Sequence, residues 1–303
     1  MSPIRPMGPR EWAMLVFLSI LWGGSFFYNA VAVTALPVLT IACLRVAIAA
    51  AALFMVLKAR GLALPGTREA LVAFLGMGFL NNVVPFSLIL WAQTLIPGGL
   101  AAILNGTTPL FTVLVLHALS ADEKATGLKF AGVVIGFAGV AVMIGLDLAG
   151  KSAPVLPQLA ALGAALSYAF SALWGRRFAR LGIPSAVAAT GQMTAASLML
   201  LPLALVVEQP WTLALPGLKV WLAVLALALL STALAYILFF RILEASGATN
   251  LMLVTFLIPV SAILLGVLLL DEILHARHFI GMALIGCGLA FIDGRVIRKI
   301  LGR

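Results

Sequence analysis

Ten apolar runs of about 20 residues, joined by short turns, constrain this chain more than any other feature. They fall at 12–32, 36–57, 69–90, 98–119, 128–147, 158–178, 185–207, 217–240, 247–269 and 278–297. A run of that length crosses the roughly 30 Å hydrocarbon core of a bilayer as a helix. Hydrocarbon offers no partner to an unpaired N–H or C=O, and the runs are too long for barrel strands, so each folds as a helix. The longest connection, Lys58 to Arg68, carries Gly61, Pro65 and Gly66 and leaves no room for a soluble domain. The chain reads as an all-α integral membrane protein with ten transmembrane helices, and the lipid bilayer is its first partner.

Composition agrees. Of 303 residues 10% are charged, against roughly 25% in a soluble domain, and mean hydropathy is +1.18. The net charge of +9 does not indicate nucleic acid, because the basic residues form short clusters between apolar runs rather than a face. Cys43 and Cys287 lie inside apolar runs and read as small core residues, not a disulfide or a metal site. Arg5 and Arg10 before an apolar run, with Ala30-Val31-Ala32 after it, resemble a signal peptide. The run is too long for a signal core and is kept as the first span.

Lysine and arginine placement orients the chain. With the N-terminus cytoplasmic, 15 basic residues fall inside and three (Lys151, Lys219, Arg277) outside, with Arg45 within a span. Both termini are therefore expected on the cytoplasmic side.

A stretch of about 45 residues occurs twice, from Gly98 to Met143 and from Ala248 to Ile292. Pro259 follows Pro109 by 150 positions; Asp271, Glu272, Gly281 and Gly288 follow Asp122, Glu123, Gly132 and Gly139 by 149. The chain divides into two halves, 1–150 and 151–303, each with five helices. Five is odd, so the second half enters the membrane inverted. Inverted repeats with a substrate site near the midplane are an arrangement of secondary transporters. Both halves lie in one chain, so a monomer suffices for such a site, and nothing in the sequence forbids a dimer. The Gly132-to-Gly136 spacing suits close helix packing, between the halves or between protomers.

All ten acids lie at run ends or in turns, which weighs against a proton relay built on a buried carboxylate. No hydrolase motif occurs, so neither an enzyme activity, a cofactor nor a metal is expected. Arg45 sits at the centre of the second run, where a charge costs a few kcal/mol or more. Two readings stay open: it binds backbone carbonyls of a neighbouring helix end, or it faces a wet cavity and attracts a substrate carboxylate. Polar stripes at helical spacing include Trp22, Ser25 and Asn29; Asn81 and Asn82; Asn105 and Thr108; Ser167, Tyr168, Ser171 and Trp174; and Ser231, Thr232 and Tyr236. Such residues also join helices without any ligand. Trp22, Asn82, Asn105, Tyr168, Trp174, Gln192 and Tyr236, with Arg45, are the candidate lining of a central cavity. Their mix of aromatic surface and single polar groups suits an amphipathic organic substrate. Pro85, Pro109 and Pro259 interrupt spans and are candidate gating kinks.

These residues resemble a family. Ala235-Tyr236 through Pro259, Gly266-Val267-Leu268-Leu269-Leu270 with Glu272, then Gly281 and Gly288, look like the repeat of EamA-type exporters in the drug/metabolite transporter superfamily. Leu21-Trp22-Gly23-Gly24-Ser25, Leu44-Arg45, Pro109, Glu123, Gly132 and Gly139 match it in the first half, and Leu-Trp-Gly recurs at Leu173-Trp174-Gly175. The resemblance implies inverted five-helix repeats and export of small metabolites, neutral or aromatic amino acids among them. Where the family often has an acid before the proline of the fourth and ninth spans, this chain has Thr108 and Ile258. That departure favours a facilitator. The alternatives are a proton-coupled exporter of drugs or nucleotide precursors, and a membrane enzyme or lipid-binding scaffold.

Overall fold

The computed structural model describes residues 7–120, 124–144, 154–251 and 253–293, and the side chains of 248 and 249 are not described. Asp122 and Glu123, the first copy of the acidic pair, lie outside the described residues. Ten apolar helices follow one another: α1 Pro9–Ala32, α2 Val38–Ala59, α3 Arg68–Gln93, α4 Gly98–Leu119, α5 Gly127–Ile144, α6 Val155–Arg180, α7 Ser185–Glu208, α8 Leu218–Gly247, α9 Val254–Leu270 and α10 Ala276–Asp293. Among the described residues nine have at least 18 residues. The ninth in order, α9, has 17, still within the range of about 17–25 that spans a bilayer. Large apolar side chains point outward along the bundle, Val134, Leu198, Val206 and Leu268 among them. In water such a surface would drive association; here it is the lipid-facing side. Cys43 is buried as expected, but Cys287 is exposed. The outer face of α10 needs only an apolar group, not a core one.

Prolines set the helix starts. Pro37, Pro97, Pro154 and Pro184 stand immediately before α2, α4, α6 and α7. Their fixed φ suits a helix entry, where an N–H would have no partner. Two helix starts receive something stronger, a carboxylate from the other half. Glu208, at the end of α7, accepts from Leu39 N (2.8 Å), Thr40 N (2.6 Å) and the Thr40 hydroxyl (2.8 Å) at the start of α2. Glu272, just past α9, accepts from Gly98 N (2.6 Å) and Gly99 N (2.9 Å) at the start of α4. Asp271 takes a left-handed φ of 53°, which turns the chain so that Glu272 points back. Gly98 and Gly99 carry no side chain to obstruct it: Cβ atoms there would stand 3.2 and 3.1 Å from its oxygens. Negative charge on a helix N-terminus meets both the dipole and the orphan N–H groups.

The inversion is written in the packing of α5 against α10. Gly139 meets Gly281, and Gly132 meets Gly288. Gly132 corresponds to Gly281 by sequence, and Gly139 to Gly288, so each contact maps onto the other when the halves are exchanged. That swap is the mark of a two-fold relation between antiparallel helices. A Cβ on Gly139 would stand 2.7 Å from the Gly281 carbonyl oxygen, and one on Gly281 2.7 Å from that of Gly139. Small residues let the backbones close without a hydrophobic drive, which lipid cannot supply. The glycine pairing therefore lies between the halves of one chain.

Gly139→Ala and Gly281→Ala are expected to lower the unfolding midpoint in detergent, at an overpacking cost of about 1–3 kcal/mol each. Gly286→Ala, on a face of α10 where an added Cβ meets nothing within 4 Å, is the control and should leave the midpoint unchanged. Equal midpoints for all three would remove the glycine seam as a stabilising contact.

Candidate functional site

Two helices depart from α geometry at matching places. In α3 residues Phe79–Val83 form a π turn, and in α8 residues Leu229–Leu234 form another. Their first residues are 150 apart, the repeat interval. A π turn releases the regular i→i−4 ladder and frequently marks a functional site. Each carries two adjacent polar residues, Asn81-Asn82 in α3 and Ser231-Thr232 in α8, turned into the bundle.

Arg45 of α2 reaches the α8 turn. Its Nε donates to the Thr232 hydroxyl at 2.9 Å, and that hydroxyl donates to the Leu227 carbonyl, five residues back, at 2.8 Å. The guanidinium lies 3.8 Å from the centre of the Phe86 ring, a cation–π contact. Arg45 is 6% exposed, yet among the described residues no acid faces it: its titratable neighbours are Tyr168 and Tyr236, both neutral phenols. No described residue accepts from its terminal nitrogens. The expected alternative, capture of backbone carbonyls at a helix end, is not the arrangement found; a hydroxyl holds the Nε instead.

The π turn of α3 meets α8 and α6 in one chain of hydrogen bonds. The Tyr236 hydroxyl donates to Asn81 Oδ1 at 2.6 Å, Asn81 Nδ2 donates to the Ser171 hydroxyl at 2.9 Å, and that hydroxyl donates to the Tyr168 carbonyl at 2.8 Å. Asn82 and Gln192 lie against the same Tyr236 hydroxyl. Asn82 is fully buried, and although it approaches that hydroxyl, neither atom of its amide reaches hydrogen-bond geometry with a described group. The Ser231 hydroxyl, also buried, has none either. Buried polar groups are ordinarily paired. Here unsatisfied donors and acceptors stand in the cluster that holds an uncompensated cation.

Of the residues expected to line a cavity, Arg45, Asn82, Tyr168, Gln192 and Tyr236 come together. Trp22 joins at one remove, through Phe239 at 5.6 Å, whose ring lies 6.5 Å from that of Tyr236. Asn105 stands apart at a break in α4, where the helix stops at Asn105 and resumes at Thr108. Trp174 is turned onto α3: its indole donates to the Ala73 carbonyl at 3.1 Å, covers Gly76 and stacks under the Arg177 guanidinium at 3.4 Å. The prolines differ from the expected mid-helix kinks. Pro85 follows the π turn and Pro109 follows the α4 break, each in the first turn of a new segment where its missing N–H costs nothing. Pro259 is the one that lies inside a helix, packed against Gly106 of the α4 break. Phe86 was not anticipated. The signal was present: Phe86 precedes Tyr236 by 150 positions, so the two aromatic residues flanking Arg45 are repeat equivalents.

One cleft of about 160 Å³ reaches this cluster, with Tyr236 at its floor, opening between α2, α7 and α8 beside Arg60 and Arg241. The opposite end of α2 and α7 is the one held by Glu208.

Thr232→Val leaves the buried Arg45 Nε without an acceptor and should cost about 1–3 kcal/mol, read as a lower unfolding midpoint; Thr232→Ser should retain most of it. A midpoint unchanged in Thr232→Val would show that the hydroxyl does not hold the guanidinium.

The geometry has counterparts. The model of the EamA-like transporter family matches residues 10–145 and again 156–293. An uncharacterized inner membrane transporter, YedA, of Escherichia coli strain K12 is 31% identical over 277 residues, 89% of this chain and 86% of that protein. A probable amino-acid metabolite efflux pump of the same organism is 26% identical over 93% of this chain and 94% of its own length. A crystal structure shares the fold at a TM-score of 0.69, 23% identity, and coverage of 98% of this chain and all of that one. These relatives are named as transporters and not as enzymes. With a family repeat matched in each half, the chain belongs to the EamA-like transporter family, a group of membrane transporters of the drug/metabolite type.

Proposed function

We propose that this transporter exports small zwitterionic metabolites, neutral or aromatic amino acids, across the bacterial inner membrane, with both termini cytoplasmic. The observation that carries the reading is Arg45, a buried cation with no carboxylate partner and free terminal nitrogens. A planar guanidinium binds a carboxylate through two parallel hydrogen bonds. The substrate would bring the missing negative charge. Asn82 and Ser231 have unused acceptors for an ammonium, and Phe86, Tyr168 and Tyr236 offer aromatic surface for an apolar side chain. The name of the efflux-pump relative agrees with this substrate class.

Transport proceeds by alternating access between the halves 1–150 and 151–303. The Glu208 and Glu272 contacts close one end, and the cleft above Tyr236 opens the other. The π turns of α3 and α8, followed by Pro85 and by Ala235, supply the flexible points, and Pro109 and Pro259 line the crossing of α4 and α9. Among the described residues no acid sits at mid-helix in the cluster, so a facilitator is favoured over proton coupling.

Counterflow in proteoliposomes tests the reading. Labelled phenylalanine should accumulate against unlabelled internal amino acid without a pH gradient. Arg45→Gln should lower the apparent affinity at least tenfold while the protein keeps its wild-type elution profile. Counterflow equal in Arg45→Gln and wild type would discard Arg45 as the carboxylate site, and accumulation only under a pH gradient would discard the facilitator. Glu272→Gln weakens the closed end. It should raise thiol labelling of a cysteine placed at Ser231 from the Glu272 side severalfold; unchanged labelling would mean that this contact is not a gate.

A further inference from the structure

The cleft above Tyr236 has a composition that the Arg45 site lacks. Its lining includes the exposed Arg60, just past α2, and Arg241 and Glu244 from α8, together with Leu57, Tyr236 and Phe240. Among the described residues none of these three charged side chains has an ion pair or a hydrogen bond, even with one another. Two cations and one anion thus stand around an apolar lining without a partner among the described residues. The Arg45 cluster offers one cation and no acid.

We propose that this cleft is a separate loading station for amino acids with apolar side chains, ahead of the Arg45 site. The carboxylate is held by Arg60 and Arg241, the ammonium by Glu244, and the side chain lies toward Phe240 and Leu57. Guanidinium forks recognise a carboxylate with defined geometry, and only an acid distinguishes a zwitterion from a simple anion. Tyr236 separates the two stations. It lines the cleft, while its hydroxyl donates to Asn81 in the π turn of α3. A solute moving inward exchanges one arginine site for the next as Tyr236 gives way. Because the rim charges are exposed, the station is weak and its occupancy falls as salt rises.

The station presupposes the proposed amino-acid substrate, but it can be tested with the Arg45 site disabled. Arg45→Gln protein in phosphatidylcholine nanodiscs, free of anionic lipid, is titrated with labelled phenylalanine. A bound fraction that weakens severalfold on adding Arg60→Gln and Arg241→Gln supports the station. Glu244→Gln should weaken phenylalanine severalfold and leave competition by 3-phenylpropionate, which has no ammonium, unchanged. No bound fraction, or one indifferent to all three substitutions, overturns the proposal whatever the wild type transports. Arginine-dependent retention of added phosphatidylglycerol in place of phenylalanine also overturns it and makes the cleft a lipid headgroup site. Loss of counterflow in Arg45→Gln with this binding intact separates failure of one reading from failure of the other.

Discussion

Helices in lipid gain nothing by burying apolar surface against one another, since the lipid tails are equally apolar. What joins the halves of this protein must therefore be close backbone approach and polar contacts. The structure supplies both in a small number of places. Gly132, Gly139, Gly281 and Gly288 let α5 and α10 meet backbone to backbone. Glu208 and Glu272 each bridge from the second half to a helix start in the first. Tyr236, just past the π turn of α8, donates to Asn81 in the π turn of α3. The glycine seam lacks side chains that could rearrange, whereas the carboxylate and hydroxyl contacts can be exchanged for water. A rigid seam with exchangeable contacts elsewhere suits the alternating access proposed for the two halves.

The Arg45 cluster departs from ordinary interior design. Among the described residues its cation has no counterion and the Asn82 amide is unsatisfied, and the helices on both sides leave α geometry. Each departure costs stability, and all fall within one cluster. Sequence-level rules fail most informatively at such sites. The Arg45–Thr232 and Arg45–Phe86 contacts hold the guanidinium edge and face while leaving its terminal nitrogens free. That geometry orients a charge without neutralising it.

Much of this was legible in the chain. Run lengths imply ten helices, and the repeat interval with five runs per half implies inversion; the glycine contacts agree, because both follow from the thickness of hydrocarbon and from chain order. Arg45, Asn82, Tyr168, Gln192 and Tyr236 were readable as polar or amphipathic groups in apolar runs. Phe86 was hidden, since a phenylalanine in an apolar run looks like any other. Trp174 and Asn105 look alike in sequence to the residues that cluster, but helix rotation and a break in α4 carry them elsewhere.

Glu208 and Glu272 mark the remaining boundary. Sequence alone determined that these acids stand at span ends, because a bare carboxylate is too costly in hydrocarbon. It also determined the solvent, the helix count and the two-fold plan, which depend on length, order and polarity. Only the tertiary structure decided that each acid reaches the start of a helix in the other half, that the glycines pair within one chain, and that Pro85 and Pro109 begin segments rather than bend them. Those outcomes depend on distances between residues about 140 to 175 positions apart, and on how each helix rotates about its axis. Local periodicity specifies a face; what that face meets is set by packing.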